Sequence, residues 1–321
     1  MSEIDFAVGS IKNIPPTSAV PLPGSYTLSM LTLEDCRRFY AEEVQLAANL
    51  TLPALIEALA HVPREKFLSP GPWQIAIPDV ATGTVQYVPT PSADPRYVYH
   101  NVVIVLDRSR DLTNGHPGTL THYISALDLA PGNRVYHMGA GAGYYTAIMA
   151  EVVGESGTVV AAEVHPELGP RAKANLADRP NVTVHSGDGS QFDPGECDAM
   201  LINAGMTHPL SSWLDRLREG GRLLVPITMP MLPNIGKGVM LKIVRHGDGY
   251  TAQVVSFVAI YSATNARDLQ LEPVVGKALA SGSLMKVKSV RRDQHSPDEA
   301  CVVHGSEVCL SLAPAADAVS K

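Results

Sequence analysis

The chain has 321 residues, 45% hydrophobic and 18% charged, and 25 Lys plus Arg against 32 Asp plus Glu leave a formal net charge of −7. A chain of this size and composition buries a sizeable core unaided, which excludes a disordered protein and a small disulfide scaffold. The acidic balance argues against a nucleic-acid or anionic-membrane partner.

Residues 1–31, with Pro15, Pro16, Pro21, Pro23 and Gly24, lack periodicity and read as an irregular arm. Acid stands at Glu3 and Asp5 where a signal peptide carries base. No apolar stretch reaches bilayer length, so a cytoplasmic protein with no membrane partner is expected. Cys36, Cys197, Cys301 and Cys309 form no C-x-x-C pair, which fits free thiols in a reducing compartment.

Residues 32–129 read as N-terminal helices followed by a substrate-covering segment. Thr32 with Asp35 three residues on is a capping box, opening a helix that runs to Leu50. Thr51 and Pro53 open a second, with Leu55, Ile56 and Leu59 as its apolar stripe and Val62-Pro63 as its stop. Residues 68–118 are dense in Pro, Gly, Asn and Asp, and are expected to be irregular apart from a strand over Tyr97–Leu106. A helix is expected over Thr119–Leu129.

Residues 130–270 alternate. Strands are expected at 134–138, 158–164, 181–185, 197–203 and 222–227, with helices at 143–153, 166–178 and 209–218. Such alternation predicts an α/β fold with a mostly parallel sheet covered on both faces. Strands at 238–244 and 251–260, joined by His246-Gly247-Asp248-Gly249, end it as an antiparallel hairpin. Residues 271–321 read as an extension with a small hairpin around His304–Glu307 and a frayed tail from Ser311. His295, Cys301, His304 and Cys309 are usable zinc ligands, but H-x5-C-x2-H-x4-C matches no standard structural spacing, and no metal is expected.

The most informative segment is Val135-Tyr136-His137-Met138-Gly139-Ala140-Gly141-Ala142-Gly143-Tyr144, a strand, a glycine turn and a helix start. Glycines there admit positive φ and let a ligand approach the backbone. A dinucleotide fingerprint wants Gly or Ala where Tyr144 stands, whereas the spacing Gly139, Gly141, Gly143 suits S-adenosylmethionine. Glu163, ending the second strand, can accept from two ribose hydroxyls, and Asp188 in Gly187-Asp188-Gly189 from an adenine amino group. Singly, each acid is as well explained as a turn or cap residue. In this order, all on the carboxyl edge of a parallel sheet, they make a cofactor site.

These segments resemble the protein-L-isoaspartate O-methyltransferase family over roughly residues 52–270. Val62-Pro63-Arg64-Glu65-Lys66-Phe67 is similar to its V-P-R-x-x-F segment and Gly139–Thr146 to its G-x-G-x-G-Y-x-T loop. Val164–Leu168, Gly187-Asp188-Gly189 and Leu217–Pro226 also correspond. The resemblance implies a seven-stranded Rossmann-like methyltransferase fold, S-adenosylmethionine and carboxyl methylation. Its cofactor candidates are His137, Gly139, Gly141, Gly143, Glu163, Asp188, Gly189 and Asn203. Two departures stand out. The family has an acid two residues before the first glycine, where this chain has His137, a neutral imidazole that accepts one hydrogen bond without charge attraction. The family's T-I-S-x-P segment corresponds to 118–122 here, with Leu120 at the Ser position.

Methyl transfer needs alignment of donor and acceptor and exclusion of water. A carboxylate acceptor needs no base; a hydroxyl does. His116, Thr119, Thr121 and His122 are the candidates to hold or deprotonate the acceptor, with His100 nearby in sequence. Asn203-Ala204-Gly205 would let it approach the methyl group. Three readings remain open: an O-methyltransferase for a small or natural-product acid or another peptide carboxylate, a genuine isoaspartyl repair enzyme, and a non-catalytic cofactor-binding scaffold or sensor. Oligomeric state is not legible.

Overall fold

A computed structural model describes residues 31–79, 84–110 and 112–315. Residues 1–30 of the expected arm and the last six residues of the expected frayed tail lie outside these. Residues 32–315 fall within one compact unit.

Two helices come first, α1 (Leu33–Ala48) and α2 (Pro53–His61). The capping box is present: Thr32 Oγ1 accepts from the Asp35 N–H at 3.1 Å, and the Asp35 carboxylate accepts from the Thr32 N–H at 2.9 Å. A 3₁₀ turn at Arg64–Phe67 follows.

Residues 68–118 are not irregular. They hold β1 (Gln74–Asp79), β2 (Thr84–Pro89), β3 (Val103–Asp107) and β4 (Leu112–Thr113), an antiparallel sheet in the order β2-β1-β3-β4. Pro89 is tolerated because β2 is an edge. The expected strand over 97–106 shrinks to β3, preceded by a 3₁₀ turn at Pro95–Val98. The reason is Arg64. Its guanidinium takes the carbonyls of Val98, His100 and Val102 at 2.7, 2.8 and 2.7 Å, so those groups cannot join a ladder. Helix α3 (Pro117–Ala126) starts two residues earlier than expected, with Pro at its first turn.

The central sheet alternates as expected: β5 (Arg134–Met138), α4 (Tyr144–Val153), β6 (Thr158–Glu163), α5 (Leu168–Asn175), β7 (Val182–Ser186), β8 (Cys197–Ile202), α6 (Ser211–Arg216), β9 (Leu217–Leu232), β10 (Ile235–His246) and β11 (Gly249–Tyr261). Beyond it lie α7 (Glu272–Ala280), β12 (Ser289–Arg291), β13 (Cys301–His304) and β14 (Cys309–Ser311). The seven-stranded, mostly parallel expectation is corrected. The sheet has ten strands, ordered β13-β14-β12-β11-β10-β9-β8-β5-β6-β7. Only the neighbours from β7 to β9 pair in parallel; all others are antiparallel. The extension carries the sheet past β11, covering an edge that would otherwise present unpaired backbone groups. The tail also starts later than expected, since Ser311 is fully buried in β14.

Alternation along the strands sorts the core. Val135, Val159, Ala199, Leu201 and Leu224 face a cluster with Tyr40, Leu55, Tyr123 and Ile148 of α1–α4. Tyr136, Val160, Met200, Leu223 and Val225 face the opposite cluster, with Trp213, Val275 and Leu310.

Candidate active site

Four segments end at the carboxyl edge of the parallel strands: the glycine turn after β5, Glu163 at the end of β6, Asp188 after β7 and Asn203 after β8. The glycines of the turn have φ of +80°, +57° and +96° at 139, 141 and 143, a region that side chains disfavour. They do different things. A Cβ on Gly139 would lie 2.9 Å from the Asn203 carbonyl oxygen, and one on Gly143 2.8 Å from Leu176 Cδ1. These two let the turn pack. Among the described residues, a Cβ on Gly141 would meet nothing within 4 Å. That position opens onto free space, the cradle a ligand needs.

Glu163, 8% exposed, accepts from the Gly141 N–H at 2.6 Å and from the His165 N–H at 2.9 Å. Asp188 Oδ1 accepts from the Ser190 N–H and hydroxyl at 2.9 and 2.7 Å, and Oδ2 from Asn265 Nδ2 at 2.9 Å. Burial opposes its charge, but the bonds from Ser190 and Asn265 outweigh that and hold its carboxyl below the usual range. Asn265, from the segment after β11, went unnoticed in the sequence because nothing local links it to Asp188. Gly189 packs rather than binds: a Cβ there would lie 2.5 Å from Met138 Cγ, and its carbonyl accepts from the Tyr136 hydroxyl at 2.7 Å. Asn203 ties β8 to the turn, its N–H donating to Met138 at 2.8 Å and Nδ2 reaching the Gly139 carbonyl at 3.4 Å.

His137 is buried on the α4 face of β5, its Nδ1 2.9 Å from Thr146 Oγ1 and its Nε2 without a partner among the described residues. Burial pushes its pKa down to about 4, so the ring is neutral at physiological pH. An orphaned ring nitrogen, an open glycine cradle and a strand-end carboxylate together fit a cofactor with a ribose diol and an amino-acid head.

The acceptor loop is corrected in part. Thr121 is fully buried and its hydroxyl donates to the Pro117 carbonyl at 2.7 Å, so it is spent within α3. Leu120 is buried as well. His122 is half-buried, its ring tilted against Tyr123. Thr119 is exposed, and His116, at the N-cap of α3, lies 3.5 Å from it through Nδ1. Burial, then the nearby Arg64 charge, holds the His116 imidazole below its ordinary range. The loop lies against the glycine-turn helix, since the Tyr145 hydroxyl of α4 reaches the Gly115 carbonyl at 3.5 Å.

Arg64 organises this wall and was visible in the sequence only as a motif letter. It is fully buried, with its guanidinium carbon 5.5 and 6.0 Å from the Tyr40 and Tyr144 ring centroids. Besides the three carbonyls it binds, its Nη2 lies 3.5 Å from Asn114 Oδ1.

A parallel edge with a glycine turn, a strand-end acid and a post-strand Asp-Gly defines the α/β methyltransferase class. Solved structures share the fold: a protein-L-isoaspartate O-methyltransferase superposes with a TM-score of 0.58 at 22% identity, covering 75% of this chain and 69% of its own. A Plasmodium falciparum structure of the same description, in complex with S-adenosyl-L-homocysteine, gives 0.52 at 16% identity, covering 71% and 98%. The family model "Protein-L-isoaspartate(D-aspartate) O-methyltransferase (PCMT)" matches residues 85–265, and the chain belongs to that family. The enzyme of this name numbered 1 from Archaeoglobus fulgidus is 31% identical over 201 residues, 61% of this chain and 82% of that one. The Thermotoga maritima relative is 30% identical over 185 residues, 55% of this chain, which spans about half (51%) of that relative's length. Among the described residues, no helix is long and apolar enough to cross a membrane.

Proposed function

We propose that the chain is an S-adenosylmethionine-dependent O-methyltransferase that esterifies a carboxylate, with isoaspartyl groups, the acceptors its relatives are named for, as the first class to test. The observation that carries this reading is the free space at Gly141 beside the Glu163 carboxylate.

When bound, the cofactor supplies an electrophilic methyl group on a sulfonium. Glu163 already accepts two backbone N–H groups, and its remaining lone pairs serve the ribose hydroxyls. Asp188, kept ionised by Ser190 and Asn265, serves the adenine amino group. His137, neutral, offers Nε2 to the amino-acid head. Asn203 holds the turn; Gly205, expected to leave room for the acceptor, instead packs, since a Cβ there would lie 2.6 Å from Thr228 Oγ1 and its N–H donates to the Tyr261 carbonyl at 2.6 Å. The acceptor carboxylate is already charged, so the chain's work is alignment and exclusion of water. His116 and Thr119 are the groups that hold its second oxygen.

Leu120 and Thr121 favour a second acceptor class. With Leu120 at the matched Ser position and the Thr121 hydroxyl spent on Pro117, that turn of α3 keeps the exposed Thr119 hydroxyl, one position away from the matched Ser. This supports a small or natural-product acid in place of an ordinary damaged protein. The test is turnover with an isoaspartyl peptide beside free carboxylic acids, following demethylated cofactor. Turnover of the peptide alone supports the repair reading; turnover of free acids alone supports the second. Cofactor binding without turnover of any acceptor leaves the scaffold reading.

A further inference from the structure

His295, Cys301, His304 and Cys309 lie far from the glycine turn in sequence, and each brings one ligand atom within 4.8 Å of all the others. Sheet register gathers them. His304 pairs directly opposite Cys309 across β13 and β14, so the two share a face. Residues three apart on a regular strand face opposite ways, which would send Cys301 away from His304. The register shifts between Cys301 and Val303, and this bulge brings Cys301 back to the same side. His295 arrives from the loop after β12. Its Nδ1 lies 2.8 Å from the Asp293 carbonyl oxygen, and its Nε2 3.4 Å from Cys301 Sγ. His304 Nδ1 is buried without a hydrogen-bond partner among the described residues.

We infer that these four side chains form a structural zinc site. Two sulfurs and two imidazoles are a zinc donor set, and four protein ligands leave no open position for catalysis. At zinc's usual bond lengths the edges of such a tetrahedron run roughly 3.3–3.8 Å. The His295–Cys301 pair already meets this, and the others close by inward side-chain movement. The outer contacts are those a metal site uses. The Asp293 carbonyl orients His295, and the Asp298 N–H donates to Cys301 Sγ at 3.3 Å. The nearby Asp293 and Asp298 carboxylates pair with Arg291 at 2.9 and 2.8 Å, so neither is a free rival ligand. Binding releases both thiol protons, including the Cys301 proton now directed at Asp298 Oδ1 across 3.2 Å. The site clamps strands of only three or four residues, too short to hold a hairpin alone, onto the end of the sheet.

The test uses the whole chain, purified under reductant without chelator or a metal-binding tag. Elemental analysis is expected to find about one zinc per chain, falling to near zero in Cys309→Ser. Since that variant can misfold, the wild type carries a second measurement. Zinc-stripped protein titrated with cobalt(II) is expected to develop thiolate-to-cobalt charge-transfer absorption and the intense visible bands of a tetrahedral site. The inference is overturned by zinc below about a tenth of an equivalent with both thiols reduced and no cobalt charge-transfer band. An intact mass two hydrogens short, mapping to a Cys301–Cys309 disulfide, overturns it equally.

Discussion

The Gly141 N–H donates to the Glu163 carboxylate at 2.6 Å, tying the turn after one strand to the acid that ends the next. Both sit where β5 and β6 stop in register, Met138 beside Ala162. The bond shapes the turn, and the missing side chain at 141 keeps the space beside it open.

The glycines therefore separate folding from binding. Gly143→Ala combines φ +96° with a 2.8 Å contact to Leu176 and is expected to cost about 2–4 kcal/mol of stability. Gly141→Ala meets no neighbour and costs about 1–2 kcal/mol through its φ alone. Gly141→Val should stay folded and lose cofactor affinity. Denaturant melts and calorimetry on the three variants check this; unchanged cofactor binding in Gly141→Val refutes the site.

Glu163→Ala removes an ionised acceptor and is expected to weaken cofactor binding by about 1.5–3 kcal/mol, roughly 10- to 150-fold. Calorimetry at neutral pH measures it. An affinity equal to wild type would reduce Glu163 to a turn residue holding Gly141 and His165.

His137 makes stability fall in acid. An unfolded histidine titrates near 6.5, whereas burial pushes this one down to about 4. Between those values the unfolded chain binds a proton the folded chain refuses. The contribution is complete above about pH 6.5 and is lost as pH falls toward 4, roughly 2–3 kcal/mol by about pH 4.5. His137→Gln should flatten this part of the curve. Urea unfolding of both proteins near pH 7 and 4.5 decides it, and parallel losses would exclude the imidazole as the source.

Thr121 and His116 have different expected fates. Thr121→Val loses one buried hydrogen bond, about 0.5–1.5 kcal/mol of stability, and leaves kcat unchanged. For a carboxylate acceptor, His116→Gln raises KM and leaves the pH profile of kcat flat. For a hydroxyl acceptor, wild-type kcat falls as pH drops through the lowered His116 titration, and the variant loses roughly 100-fold or more. Steady-state kinetics across pH separates the two.

Arg64→Met strands the carbonyls of Val98, His100 and Val102 without their donor. A loss of about 3 kcal/mol or more is expected, from three buried carbonyls left unsatisfied at roughly 1–3 kcal/mol each, together with faster amide exchange across residues 98–116. A melting curve unchanged from wild type would contradict the role assigned to Arg64.

By itself the sequence determined what is local: the Thr32 capping box, the alternation from Arg134 to Tyr261, the glycine turn, and the acids Glu163 and Asp188 on one sheet edge. Each follows from residues a few positions apart, through hydrophobic period and glycine placement. What only the tertiary structure decided is non-local. Sheet β1–β4 was hidden because its pairing partners, not its Pro-rich composition, make its strands. Thr121 looked free until the helix start at Pro117 turned a carbonyl toward it. Asn265 reaches Asp188 across 77 positions. The hairpin at 301–311 was legible, and so were His295, Cys301, His304 and Cys309 as residue types, but their convergence was not, because one bulge sets which way Cys301 faces. Spacing along a chain does not encode that direction; strand register does.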